Sequence, residues 1–126
     1  MNKPKAQAVI YFLNEQDQKQ FLLLKMNSLI WQNVTGSVEE NEDFIQAAIR
    51  EAQEETALSA SNILKVFPTD LTFEFSDRWS KQVIEKVFII QCKRYWEVVL
   101  DPKEHCEFKW VDQSQITQES VHYKSN

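Results

Sequence analysis

Apolar and polar positions follow three patterns along this chain, and each pattern predicts a different element. Residues 7–13 and 19–25 are strand-like, the second with the continuous run Phe21-Leu22-Leu23-Leu24 expected of a strand buried on both faces. Residues 14–18 form a polar turn between them, and residues 31–35 are a short extended piece. Over residues 42–58 the period becomes helical: at about 100° per residue, Ile45, Ala48, Ile49, Ala52 and Thr56 share one arc, the core face. Asn41 is the predicted N-cap, with Glu42 and Asp43 favourably placed in the first turn. Further on, residues 63–67 read as a strand closed by Pro68, and residues 71–75 as another strand. Residues 83–92 form a strand rich in β-branched side chains, residues 94–102 a connection, residues 107–111 a last strand, and residues 113–123 a weaker helix. Strands with one central and one terminal helix predict a layered α/β domain, and 126 residues predict one domain, 1–126.

Charge narrows the partners. The net charge of −5 argues against a general nucleic-acid binder, which would show a basic face. It leaves a phosphate substrate open, because a bound metal reverses the local field. Two cysteines, Cys92 and Cys106, are too few for a disulfide framework and fit a reducing compartment. The first residues carry no signal-peptide pattern, and no apolar run approaches a membrane span. Cytoplasmic residence without a membrane partner is the expectation.

Candidate chemistry sits around the one glycine of the chain, Gly36, where average composition would give about nine. Glycine permits positive φ or a close approach of backbone to a ligand. Here it precedes the helix, which predicts a tight turn feeding the carboxylates. On that helix Glu51, Glu54 and Glu55 occupy a second arc, turned away from the core face. Glu42, Gln46, Arg50 and Glu54 form an i, i+4 staircase, so Arg50 can brace carboxylates on neighbouring turns. Three carboxylates on one arc repel each other, and a hard divalent cation such as Mg²⁺ or Mn²⁺ removes that conflict. A solvated acidic face is the plainer alternative.

Gly36, Glu42, Arg50, Glu51, Glu54, Glu55 and Leu58 stand at the spacings G-x5-E-x7-R-E-U-x-E-E-x-G-U, where U is bulky and apolar. In this the chain resembles the Nudix family. Ala52 is smaller than the usual apolar residue, and Ala57 replaces the second glycine, which normally ends the helix. Residues 31–40 and 104–112 are similar to the subgroup that cleaves dihydroneopterin triphosphate and dATP; residues 58–102 match it poorly. The resemblance implies an α/β/α sandwich with a mixed central sheet, and metal-dependent hydrolysis of a small phosphorylated substrate. Dihydroneopterin triphosphate or a (deoxy)nucleoside triphosphate leads. Nucleotide sugars, dinucleoside polyphosphates, RNA 5′ ends or a non-catalytic binding module are the alternatives.

The same resemblance implies roles residue by residue. Glu51, Glu54, Glu55 and Glu104 would hold the metal, with a backbone carbonyl of Thr35 or Gly36; Glu54 or Glu104 would be the base, and Arg50 would orient the glutamates. From the residues alone, Lys25, Arg78 and Lys86 are candidate phosphate contacts. Trp31, Phe73, Phe75 and Trp79 are candidates for a stacking platform, or core. His105 reads as a surface or packing residue beside Glu104, and His122 is assigned nothing. Tyr95 and Trp96 would cover a pocket or serve a dimer contact, with monomer and homodimer both open.

Overall fold

The first strand, predicted over residues 7–13, is β1 (Lys3–Leu13), in which Ala6, Ala8 and Ile10 are at most 1% exposed and belong to the core. This is a computed structural model, and it describes residues 2–115. The remaining elements are β2 (Lys19–Met26), β3 (Trp31–Gln32), β4 (Val34–Ser37), α1 (Phe44–Thr56), a short 3-10 turn (Ala60–Asn62), β5 (Ile63–Ser76), β6 (Gln82–Cys92) and β7 (His105–Val111). All seven strands form one sheet, ordered β3-β2-β1-β6-β5, with β4 also on β1 and β7 also on β2. β1 runs parallel to β6, and the other pairs are antiparallel, so the sheet is mixed.

Helix α1 packs on β1 and β4. Its contact residues Ala47, Ala48 and Ala52 are fully buried in one cluster with Ala6 and Ala8. Alanine on both surfaces lets the helix lie close to the sheet, and this compensates for the missing bulk at Ala52. Among the described residues no helix is long and apolar enough to cross a membrane.

Five local readings are corrected. The helix starts at Phe44, and its cap is Asp43 rather than Asn41: Asp43 accepts from the Gln46 amide, and the Gln46 side chain accepts from the Asp43 amide. Asn41 instead takes a left-handed conformation in the preceding turn, with φ of 66°. Glu42 therefore lies outside the first turn. Residues 63–67 and 71–75 are one strand, β5, with an irregular register between Pro68 and Thr72. Pro68 is accommodated because β5 is an edge strand and the ladder is already interrupted there. Gly36 lies inside β4 and has no positive φ, so it does not make the turn. The second helix was placed on residues of which only 113–115 are described, and these are helical.

Ala57 does adopt the left-handed conformation, at φ 61° and ψ 24°, and its amide bonds to the Gln53 carbonyl. A residue with a side chain pays on the order of 1 kcal/mol for that conformation. The helix end is held from outside as well. The Thr56 carbonyl accepts from the Trp96 indole at 2.9 Å and from the Val99 amide at 3.2 Å. Trp96 packs edge-on against Trp110, so it belongs to the core side of the 94–102 connection.

Candidate active site

The geometry of β4 explains the glycine. A Cβ on Gly36 would overlap the carboxylate carbon and both oxygens of Glu51. Gly36 is needed for close approach of strand and side chain, and not for backbone freedom.

Arg50, one residue earlier on α1, organises the carboxylates around it. Its Nε and Nη2 donate to the two oxygens of Glu42 at 2.8 and 3.0 Å. Its Nη1 donates to Glu51 at 2.9 Å and to Glu54 at 3.1 Å, and its Nη2 also reaches the Ser37 carbonyl at 2.8 Å. Glu42 in turn accepts from the Glu39 amide at 2.9 Å, which ties down the loop before the helix. The Arg50 hydrogen bond holds the Glu42 carboxyl below its usual range, and Glu42 holds the guanidinium firmly charged.

Glu55 lies elsewhere than the wheel placed it. It is 3% exposed and buried, whereas Glu54 on the same turn is well exposed. Among the described residues neither carboxylate oxygen of Glu55 accepts a hydrogen bond. Burial, then a hydrogen bond to Glu51 that only the protonated form makes, and the charges of Glu51, Glu104 and Glu54 push its pKa up to about 10 in the metal-free protein. Facing it is His105, also 3% exposed, with Nδ1 3.5 Å from Glu55 Oε1 and neither ring nitrogen hydrogen-bonded to a described residue. Burial lowers the pKa of His105 and favours the neutral ring.

His105 reaches this position through a bulge. Lys25 pairs with Glu107, but the next residue, Met26, pairs with His105, so Cys106 is an extra residue in β7. The bulge shifts His105 off the alternation that Glu107 and Lys109 follow. Glu104 is exposed on the turn just before β7, and its carbonyl accepts from the Asn27 amide at 3.3 Å. The Asn27 side chain also donates to the Lys103 carbonyl at 3.1 Å. One ligand atom each from Glu55, Glu104 and His105 lies within 4.8 Å of the others, which is a donor set suited to a divalent cation.

The substrate-contact candidates separate. Lys25 and Trp31 are register partners across β2 and β3, and Lys25 Nζ is 5.9 Å from the Trp31 ring and 3.1 Å from Glu107. Lys109, which the sequence reading omitted, lies 4.2 Å from the same ring. Lys86 is over the Phe44 ring at 4.7 Å and lines a groove of about 540 Å³ with Asp43, Pro68, Thr72 and Phe88. Phe44 stands about 15 Å along the helix axis from Glu54, so this groove is at the far end of α1. Arg78 stacks on Trp79 at 4.3 Å in the turn between β5 and β6.

Fold and site together define a small α/β hydrolase with a helix-borne carboxylate centre. The NUDIX domain matches residues 3–125, and the chain belongs to the Nudix family. It is 31% identical to the dihydroneopterin triphosphate diphosphatase of Escherichia coli over 117 residues, covering 83% of this chain and 77% of that protein. The solved E. coli dihydroneopterin triphosphate pyrophosphohydrolase superposes with a TM-score of 0.76 at 27% identity, covering 92% of this chain and 84% of that one. A C. elegans Ap4A hydrolase superposes with a TM-score of 0.79 at 24% identity, covering 94% and 86%, and shows the shared fold. The chain is thus a hydrolase of the pyrophosphohydrolase type, a family that acts on small phosphorylated substrates and generally uses divalent metals.

Proposed function

We propose that this Nudix hydrolase splits dihydroneopterin triphosphate or a (deoxy)nucleoside triphosphate into the monophosphate and pyrophosphate. The observation that carries the reading is the Arg50 fork, which holds Glu42, Glu51 and Glu54 beside the strand where Gly36 leaves room for Glu51. The similarity to a diphosphatase of dihydroneopterin triphosphate, spread over most of both chains, supports the substrate class.

Glu51, Glu54, Glu55 and Glu104, with the Thr35 or Gly36 carbonyl, would hold the cation. When bound, it neutralises non-bridging phosphate oxygens and lowers the pKa of a coordinated water. Glu51 is fixed by Arg50, and Glu55 is buried; Glu54 and Glu104 are the exposed carboxylates. One of these two accepts the proton of the attacking water. The water oxygen bonds to phosphorus, the bridging P–O bond breaks, and the electron pair leaves on the departing phosphate. Arg50 is a positioning residue, since its guanidinium is taken up by Glu42, Glu51, Glu54 and the Ser37 carbonyl. Trp31, with the Lys25 and Lys109 ammonium groups beside it, supplies an aromatic surface and positive charge for a flat base and its phosphates.

The test is a product screen of purified protein with Mg²⁺ against pterin and purine triphosphates, nucleotide sugars and dinucleoside polyphosphates. Pyrophosphate from a triphosphate supports the proposal. Turnover of dinucleoside polyphosphates alone, or tight binding without turnover, contradicts it.

A further inference from the structure

Arg50 satisfies Glu42, Glu51 and Glu54 but does not reach the buried Glu55. Glu55 is buried, accepts no hydrogen bond among the described residues, and pairs with the neighbouring Glu51 carboxylate only by holding a proton. The group opposite is an imidazole, equally buried, with both nitrogens unpartnered. The two approach to 3.5 Å without forming a hydrogen bond. Leaving two such groups unsatisfied in a protein interior is costly, and native structures rarely do it without a reason. A cation between them replaces the proton on Glu55 and engages one nitrogen of His105, and Glu104 at the mouth adds a third donor within the same 4.8 Å. Donors bonded to one ion at about 2.0–2.2 Å stand roughly 3–4.4 Å apart, so only small side-chain adjustments are needed.

The donor chemistry separates this pocket from an all-oxygen magnesium site. Mg²⁺ prefers oxygen ligands and keeps much of its water, whereas imidazole favours first-row transition ions. The bulge at Cys106 is what brings the nitrogen in, since it takes His105 out of the Glu107 and Lys109 register.

We propose that Glu55, Glu104 and His105 bind a divalent transition-metal ion through an imidazole nitrogen, in preference to Mg²⁺. The inference rests on the hydrolase reading above for Glu55 and Glu104 and adds His105 as a ligand, with the class of ion it selects.

The experiment uses the whole chain, stripped of metal, with Mn²⁺ and Co²⁺ as probes. Pulsed EPR of the Mn²⁺-loaded protein is expected to show ¹⁴N modulation from a directly bound imidazole, and calorimetry to show Co²⁺ binding at least about 100-fold tighter than Mg²⁺. In His105→Gln the modulation is expected to vanish and Co²⁺ affinity to fall at least about tenfold, with Mg²⁺ affinity changed less than about twofold. The wild-type spectrum decides the matter even where the variant fails to fold. Mn²⁺ bound without ¹⁴N modulation, or equal Co²⁺ affinity in wild type and variant, overturns the inference. Pyrophosphate release with Mg²⁺ but no nitrogen signal sinks this inference alone. A nitrogen signal without cleavage of any triphosphate supports the metal site and sinks the substrate reading.

Discussion

The two sides of the glutamate cluster are built on opposite terms. On the Arg50 side, Glu42, Glu51 and Glu54 are all hydrogen-bonded to one guanidinium, and the arrangement is complete without any ligand. On the His105 side, Glu55 and His105 are buried and unsatisfied. The first side sets geometry, and the second is finished only by something that binds. Glu51, Glu54 and Glu55 all come from α1, which keeps a rigid scaffold beside a group with strong need of a cation.

The largest expected effect comes from removing chemistry while leaving the scaffold. Glu54→Gln retains the Arg50 contact through its amide oxygen but loses the charge. If Glu54 is the base, turnover should fall by about 10²–10⁴-fold with an unchanged circular dichroism spectrum. Near-normal turnover would transfer the role to Glu104, tested by Glu104→Gln.

Disturbing the scaffold at Gly36 should cost less activity than removing the base, and act through Glu51. Gly36→Val forces its side chain into the space of the Glu51 carboxylate. The carboxylate is the mobile end of the Glu51 side chain and can swing aside, so the loss of Tm should be small, while displaced Glu51 should weaken metal-dependent turnover more than it weakens folding. A variant with normal kinetics would show that the close approach has no catalytic purpose.

Metal removal exposes the unsatisfied side. The folded pKa of Glu55 is raised to about 10 from 4.5, so the native protein holds a proton that the unfolded chain releases. Stability of the metal-free protein should therefore be greatest below about pH 4.5 for this group and decline as pH rises toward about 10. Thermal melts in chelator should show this decline, while Glu55→Gln should flatten it and melt higher than wild type at alkaline pH. An equal slope in both proteins would remove Glu55 from the explanation.

The smallest effect is expected at the helix end. Ala57→Gly relieves the left-handed strain at φ 61° and should raise stability by about 0.5–1 kcal/mol, or about 3–5 °C in Tm. No change in turnover should accompany it.

Legibility in sequence followed the same division. The Arg50 side lies within 20 residues of chain, from Ser37 to Glu54, so the helix brings Glu51 and Glu54 to Arg50 and only the short loop before it has to deliver Glu42 and Ser37. The first two strands were equally plain, because continuous and alternating apolar runs carry their own register. Glu55 was misread because the wheel gives an angle and says nothing of what packs there from elsewhere. His105 needed the pairing of β2 with β7 and a bulge between Lys25 and Met26, neither of which leaves a local pattern. Pro68 was taken as the end of a strand, since sequence did not reveal that β5 lies at the sheet edge. Lys109 shares Trp31 with Lys25 only through strand pairing across β2.

The central claim is that the braced carboxylates hydrolyse a triphosphate anhydride. The most direct measurement is ³¹P NMR of the products formed from dihydroneopterin triphosphate and dATP by wild type and Glu54→Gln in the presence of Mg²⁺. The account predicts monophosphate and pyrophosphate from the wild type and a large loss of both in the variant. Orthophosphate with a diphosphate product, or no wild-type turnover of either substrate, would contradict it.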